Sequence, residues 1–117
     1  MRVALTVVLL VAAQIGAALA DPSKEQISCL IVAARGQIGV TRYYNPAYTV
    51  IAYPNGDVPL ERGVCTDVLI RAYREIGIDL QRLVHEDMQA NFAKYPKLWG
   101  LSHPDTNIDH RRVPNLM

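Results

Sequence analysis

Sixteen of the first twenty residues are hydrophobic, and Arg2 is the one charge among them. This block takes up a large share of the chain's 50% hydrophobic content, so the remainder has less apolar material for a core than the average suggests. Arg2 gives a short positive start and Val3 to Ala13 an apolar stretch. Ala18-Leu19-Ala20 then presents small residues where a signal peptidase reads, with Asp21-Pro22 directly after. The pattern predicts a secretory signal over residues 1–20 and a mature domain over 21–117, which is 117 − 20 = 97 residues. The competing reading is an uncleaved anchor, since the run approaches bilayer-spanning length, but Gln14 and Gly16 interrupt it. No second run is long and apolar enough to cross a membrane. The expected product is therefore periplasmic or secreted, with no stable membrane anchor once the signal is cleaved.

The formal net charge is +1, and without Arg2 the remainder carries 11 basic (12 − 1) against 11 acidic residues. That balance excludes a nucleic-acid binder of the basic-patch kind. The length allows one small domain. Gly36, Gly39, Gly56 and Gly63 are too dispersed for a phosphate-binding loop, and no cofactor is expected.

Ser23 to Gln37 reads as a helix, opened by a Ser23/Gln26 capping box. Ile27, Leu30, Ile31, Ala34 and Ile38 fall on one face, expected to be buried. Val40 to Tyr44 and Tyr48 to Tyr53 are rich in β-branched and aromatic residues and read as short extended pieces, punctuated by Pro46 and the Pro54-Asn55-Gly56-Asp57 turn. Tyr43, Tyr44, Tyr48 and Tyr53 make either a packing layer or one wall of a substrate groove. Gly63 to Ile76 reads as a second helix with Cys65, Val68, Leu69, Ala72 and Ile76 as its apolar stripe and Arg71, Arg74 and Glu75 elsewhere. Asp79 caps a third helix, running to about Tyr95, whose inner face is Leu80, Leu83, Val84, Met88 and Phe92. Pro96 ends it. From Lys97 onward the chain reads as irregular, with Trp99 and Leu101 folding back onto the helices.

Cys65 is the strongest candidate for chemistry. It follows Gly63 at a helix start, where unpaired N–H groups and the positive end of the dipole favour a thiolate over a thiol. The thiolate is the nucleophile of acyl transfer, and the same N–H groups suit an oxyanion. Asp67 partly opposes this by like charge. Two bland readings stand beside it: a small buried hydrophobe, or half of a disulfide with Cys29, which an oxidising compartment permits.

Three stretches carry a resemblance. They are Tyr53-Pro54-Asn55-Gly56-Asp57-Val58-Pro59 with Arg62-Gly63-Val64-Cys65-Thr66-Asp67-Val68; Gly77-Ile78-Asp79-Leu80-Gln81 with Val84-His85-Glu86-Asp87-Met88; and Asp105 through Leu116. From about Ile31 onward the sequence resembles the bacterial family known as domain of unknown function 1287. That family in turn is distantly similar to papain-like cysteine peptidases and amidases of the NlpC type, which cut peptidoglycan stem peptides. The order of features agrees: a helix ending near Gly39, a Tyr-rich stretch, a Gly and then a Cys at a helix start, and a Gly-Ile after that helix.

The resemblance implies an α+β, papain-like domain, of which this chain is mainly the N-terminal helical half with short strands. It also implies Cys65 as nucleophile and a histidine base on a following strand. Members of the family continue past this point into strands, so the resemblance implies a C-terminally truncated chain, inactive alone and with apolar surface exposed. Among the histidines present, His110 ranks first as base, in Asp109-His110-Arg111-Arg112, a string that also suits a salt-bridge cluster or an anion-contacting loop. His85 reads as locally bonded and His103 as a loop residue. His103, Asp105, Asp109 and His110 fit no standard zinc spacing, so no metal is expected.

The expectation is thus an exported cysteine amidase or peptidase on cell-wall peptides. Cys65 and His110 are its catalytic pair, and Tyr43, Tyr44 and Tyr53 its substrate-binding residues. The alternative is a non-catalytic envelope domain, binding or structural, stapled by Cys29–Cys65.

Overall fold

The computed structural model describes residues 21–117; the expected signal lies outside the described residues. The architecture is α+β, with three helices and one two-stranded sheet among the described residues. Helix α1 spans Lys24–Arg35, strand β1 Tyr43–Tyr44, strand β2 Arg62–Gly63, helix α2 Cys65–Glu75 and helix α3 Leu80–Asn91. Short 3-10 turns follow at Phe92–Lys94, Asp109–Arg111 and Val113–Asn115. No helix among the described residues is long and apolar enough to cross a membrane.

Each helix begins where local chemistry dictates. The Ser23 hydroxyl accepts from the Gln26 N–H and the Gln26 side chain accepts from the Ser23 N–H, so α1 starts on the expected capping box. Asp79 caps α3 by accepting from the Gln81 N–H. α2 starts from an extended Val64, whose N–H donates to the Asp67 carboxylate. The two strands run parallel, pairing Tyr43 with Arg62 and Tyr44 with Gly63.

The core departs from the expected stripes. No residue of α1 is buried, and Ile27, Ile31 and Ile38 of its apolar face are exposed. α1 packs against α2, with the Gln37 side chain donating to the Val68 carbonyl, and Ile27, Ile31 and Val32 on it stay exposed among the described residues. On α2 the buried residues are Thr66, Asp67, Ile70, Arg71 and Ala72, while Leu69 and Cys65 are exposed. Arg71 therefore faces inward, contrary to expectation. It does so because its guanidinium is fully engaged: it donates to Asp57 at 2.8 and 3.1 Å, to Thr41 Oγ1 at 3.0 Å, and to the Val58 and Arg62 carbonyls at 3.2 Å. On α3, Val84 and Met88 are buried as expected, Leu83 is not, and Gln81 is.

Polar side chains thus do the work of a sheet for the irregular chain. Gln81 accepts from the Gly56 N–H and donates to the Ala52 and Thr106 carbonyls. Gly56 is needed there, since a Cβ would lie 1.9 Å from the Ala52 carbonyl oxygen. Of the stretches expected to be extended, only Tyr43–Tyr44 pairs into a strand; Ile51 is fixed instead by donating its N–H to Asn107. The C-terminal segment, expected to be irregular, supplies Asp109, His110, Arg111 and Asn115 to the interior.

Candidate functional site

Gly63 has φ of 153°, and a Cβ there would meet the Asp67 carboxylate at 2.6 Å. Only glycine lets the chain turn this closely into α2. Cys65 is the first residue of that helix, exposed and with a free thiol. The Asp67 N–H donates to the Val64 carbonyl at 3.0 Å, and helix geometry leaves the Cys65 and Thr66 amides without intrahelical acceptors. The Asp67 carboxylate points to Arg111, whose guanidinium donates to both of its oxygens, at 2.8 and 3.0 Å. Thr66 adds a second tie by donating to the Arg111 carbonyl at 2.8 Å. The mouth of α2 is therefore locked to the Asp109–Arg111 turn from two adjacent residues.

This lock shapes a groove of about 360 Å³ beside the thiol. Tyr44, Pro46, Tyr48, Val64, Cys65, Ile108, Arg111, Arg112 and Val113 line it. Tyr44 arrives through the strand register, which sets it opposite Gly63. Tyr48 is held by Asp105, to which its hydroxyl donates at 3.0 Å, and by Asn107, which donates to that hydroxyl at 2.8 Å.

The remaining expected site residues stand outside the groove lining. Tyr43 is exposed and carries Arg42 over its ring at 5.8 Å. Tyr53 meets the His85 ring edge-on, with centroids 5.0 Å apart. His110 is buried among α2, α3 and its own turn, 2% exposed. Burial, reinforced by the Arg74 and Arg111 charges, lowers its pKa to about 4, so it is neutral at ordinary pH. The neighbouring Asp109 carboxyl is pushed up, first by burial. His103 is exposed beside the Ser102 hydroxyl at 3.0 Å.

Cys29 and Cys65 are both free, so the Cys29–Cys65 staple is not made. The reason is geometric. Cys29 faces a second groove, of about 710 Å³, together with Arg71, Arg74 and Glu75 of α2. Those residues lie six to ten positions past Cys65, about 9–15 Å along the helix at ~1.5 Å per residue. A disulfide needs the two Cα atoms within about 7 Å.

Sequence reasoning missed Arg111 and Arg112 as groove residues, although the Asp-His-Arg-Arg string carried the signal of an ion-pair cluster. Arg111 with Asp67 is that cluster, and both side chains are almost fully buried.

Residues 31–117 match the model of a family described as domain of unknown function DUF1287. A relative from Escherichia coli strain K12, named uncharacterized protein YijF, is 66% identical over 83 residues, which is 71% of this chain and 40% of the relative. The chain thus spans two fifths of the length of this curated relative. No solved structure matches the chain.

Proposed function

The chain belongs to the DUF1287 family, and from that premise we propose that it is the nucleophile-bearing part of an exported, papain-like cysteine amidase or peptidase acting on cell-wall peptides. One observation carries the reading: a free, exposed thiol at the first residue of a helix, opening onto a groove with aromatic and cationic walls. That combination suits covalent acyl transfer.

In the proposed reaction the Cys65 sulfur bonds to the substrate carbonyl carbon while a histidine base takes the thiol proton. The first-turn amides of α2 face the developing oxyanion. The C–N bond breaks and the histidine returns the proton to the leaving amine, leaving a thioester on Cys65. Water then attacks that thioester, the S–C bond breaks, and the acid departs as the thiol is restored.

A second reading is a non-catalytic binding domain of the cell envelope. It is favoured by the position of His110, buried and outside the groove lining.

Acylation by p-nitrophenyl acetate tests the proposal. The expected result is a burst of one equivalent of nitrophenolate per chain, mapped to Cys65, lost in Cys65→Ala and kept in Cys29→Ala. A peptidoglycan stem tetrapeptide should slow that burst. A burst that follows Cys29, or a Cys65 that is acylated and alkylated no faster than Cys29, overturns the enzyme. Protection by the stem peptide of a Cys65 that reacts no faster than Cys29 establishes the binding domain in its place.

A further inference from the structure

The groove lining contains two arginines and no aspartate or glutamate. The two arginines are not equivalent. Arg111 is occupied by its two-pronged contact with Asp67 and is nearly fully buried. Arg112 is one-fifth exposed, and its acidic neighbour, Asp109, stands 3.8 Å away, beyond hydrogen-bond reach. The Nη1 of Arg112 and the Oδ1 of Asp109 are accordingly both buried without a hydrogen-bond partner. The other Asp109 oxygen is already engaged by the Asp105 N–H. Trp99 holds the guanidinium in place, with the Arg112 Cζ 4.2 Å from the centre of its ring. Stacking fixes the plane of an arginine while leaving its edge available for a planar anion. A positioned, incompletely paired guanidinium in a groove without acids is a carboxylate receptor in its chemistry.

We infer that Arg112 receives a carboxylate of the ligand whose carbonyl is presented to Cys65, so that the groove selects peptides carrying an acidic group beside the reacting bond. This deepens the proposed function and rests on its reading of Cys65. The tyrosines opposite, Tyr44 and Tyr48, offer ring surface for the aliphatic part of such a ligand.

Paired alkylation by iodoacetate and iodoacetamide on the full chain tests this. The two reagents transfer the same one-carbon link, displacing iodide as the S–C bond forms, and differ in whether a carboxylate or an amide is carried. Cys29, on the other groove, is the internal reference. The iodoacetate-to-iodoacetamide rate ratio at Cys65 is expected to exceed that at Cys29 by about tenfold at low salt, the equivalent of one charge-assisted contact. High salt should compress the difference. In Arg112→Gln the Cys65 ratio should fall to the Cys29 value, and in Arg112→Lys it should fall part of the way. The wild-type ratio alone is decisive if a variant does not fold. A Cys65 that reacts faster than Cys29 with iodoacetamide but shows no preference for iodoacetate overturns the carboxylate site and leaves the nucleophile standing. A Cys65 no faster than Cys29 with the neutral reagent overturns the nucleophile itself.

Discussion

Helix α1 and the segment Asp109–Asn115 make an instructive pair, because each lies against the central helices and they do so in opposite ways. α1 is twelve residues of regular helix with a complete capping box, and it buries none of its side chains. The C-terminal segment has no regular element longer than three residues, yet it buries Asp109, His110, Arg111 and Asn115. Regularity is therefore not what ties chain to chain in this molecule. Among the described residues the buried hydrophobic ones are Val58, Ile70, Ala72, Val84 and Met88, whereas nine buried residues are polar or charged. Such groups are tolerable inside only when partnered, and the partnering is what fixes the irregular backbone in place.

The comparison is broken most directly at Arg111. Replacing it with Met leaves the Asp67 carboxylate buried, 3% exposed, without its counter-charge. Removing one partner of a buried pair costs about 3–5 kcal/mol. Arg111→Met is expected to lose that much in urea denaturation. The double variant Asp67→Leu/Arg111→Met should recover part of it, though not the lost cap on the Val64 N–H. A loss under about 1 kcal/mol for the single variant would mean that the segment is an appendage like α1.

His110 sharpens the same contrast through pH. Its pKa is about 4 in the fold and 6.5 for an ordinary histidine. Below about pH 6.5 the unfolded chain takes up a proton that the native chain refuses. The stability due to neutral His110 is thus fully present above pH 6.5, declines as pH falls, and is gone below about pH 4. The full amplitude is about 3 kcal/mol. Asp109 works in the other direction, since a carboxyl pushed up by burial protonates more readily in the fold and gains stability on acidification. Comparing wild type with His110→Gln by urea melts from pH 7 to pH 4 isolates the histidine. The variant should lack the loss that wild type shows, and parallel pH curves for the two would place His110 in contact with solvent.

Much of this was legible in the sequence, and what was not shares one cause. The three helices and two of their caps are set by local chemistry, a hydroxyl with an amide three residues on at Ser23 and a carboxylate at Asp79, so periodicity and capping rules find them. Cys65 at a helix mouth was legible for the same reason, because Gly63 stands two residues before it. The inward faces were not. A hydrophobic stripe set Arg71 elsewhere and did not include Gln81, but their partners lie 14 and 25 to 29 positions away in sequence. A helical-period argument contains no such information. Arg111 is a clearer case still: its partner Asp67 lies 44 positions away in sequence, and Thr66, 45 positions away, donates to its carbonyl.

The smallest effect belongs to α1 and tests the comparison from its other side. Ile31 sits in the middle of the helix's apolar face and keeps 47% of its surface, whereas Ile70 on α2 keeps 2%. Truncating a buried isoleucine to alanine costs about 2–5 kcal/mol, because transfer and cavity terms add. For Ile31 about half the transfer term is absent from the start, and no cavity can form on a side open to water. Ile31→Ala is therefore expected to cost less than about 1 kcal/mol, against at least about 2 for Ile70→Ala. Amide exchange reads the same difference without a mutation. The α1 amides should open at a lower free energy than those around Ile70, since none of α1's own residues is buried. If the two isoleucines cost the same, α1 is bound to α2 as tightly as the arginine-clasped segment is, and its open face is covered in solution.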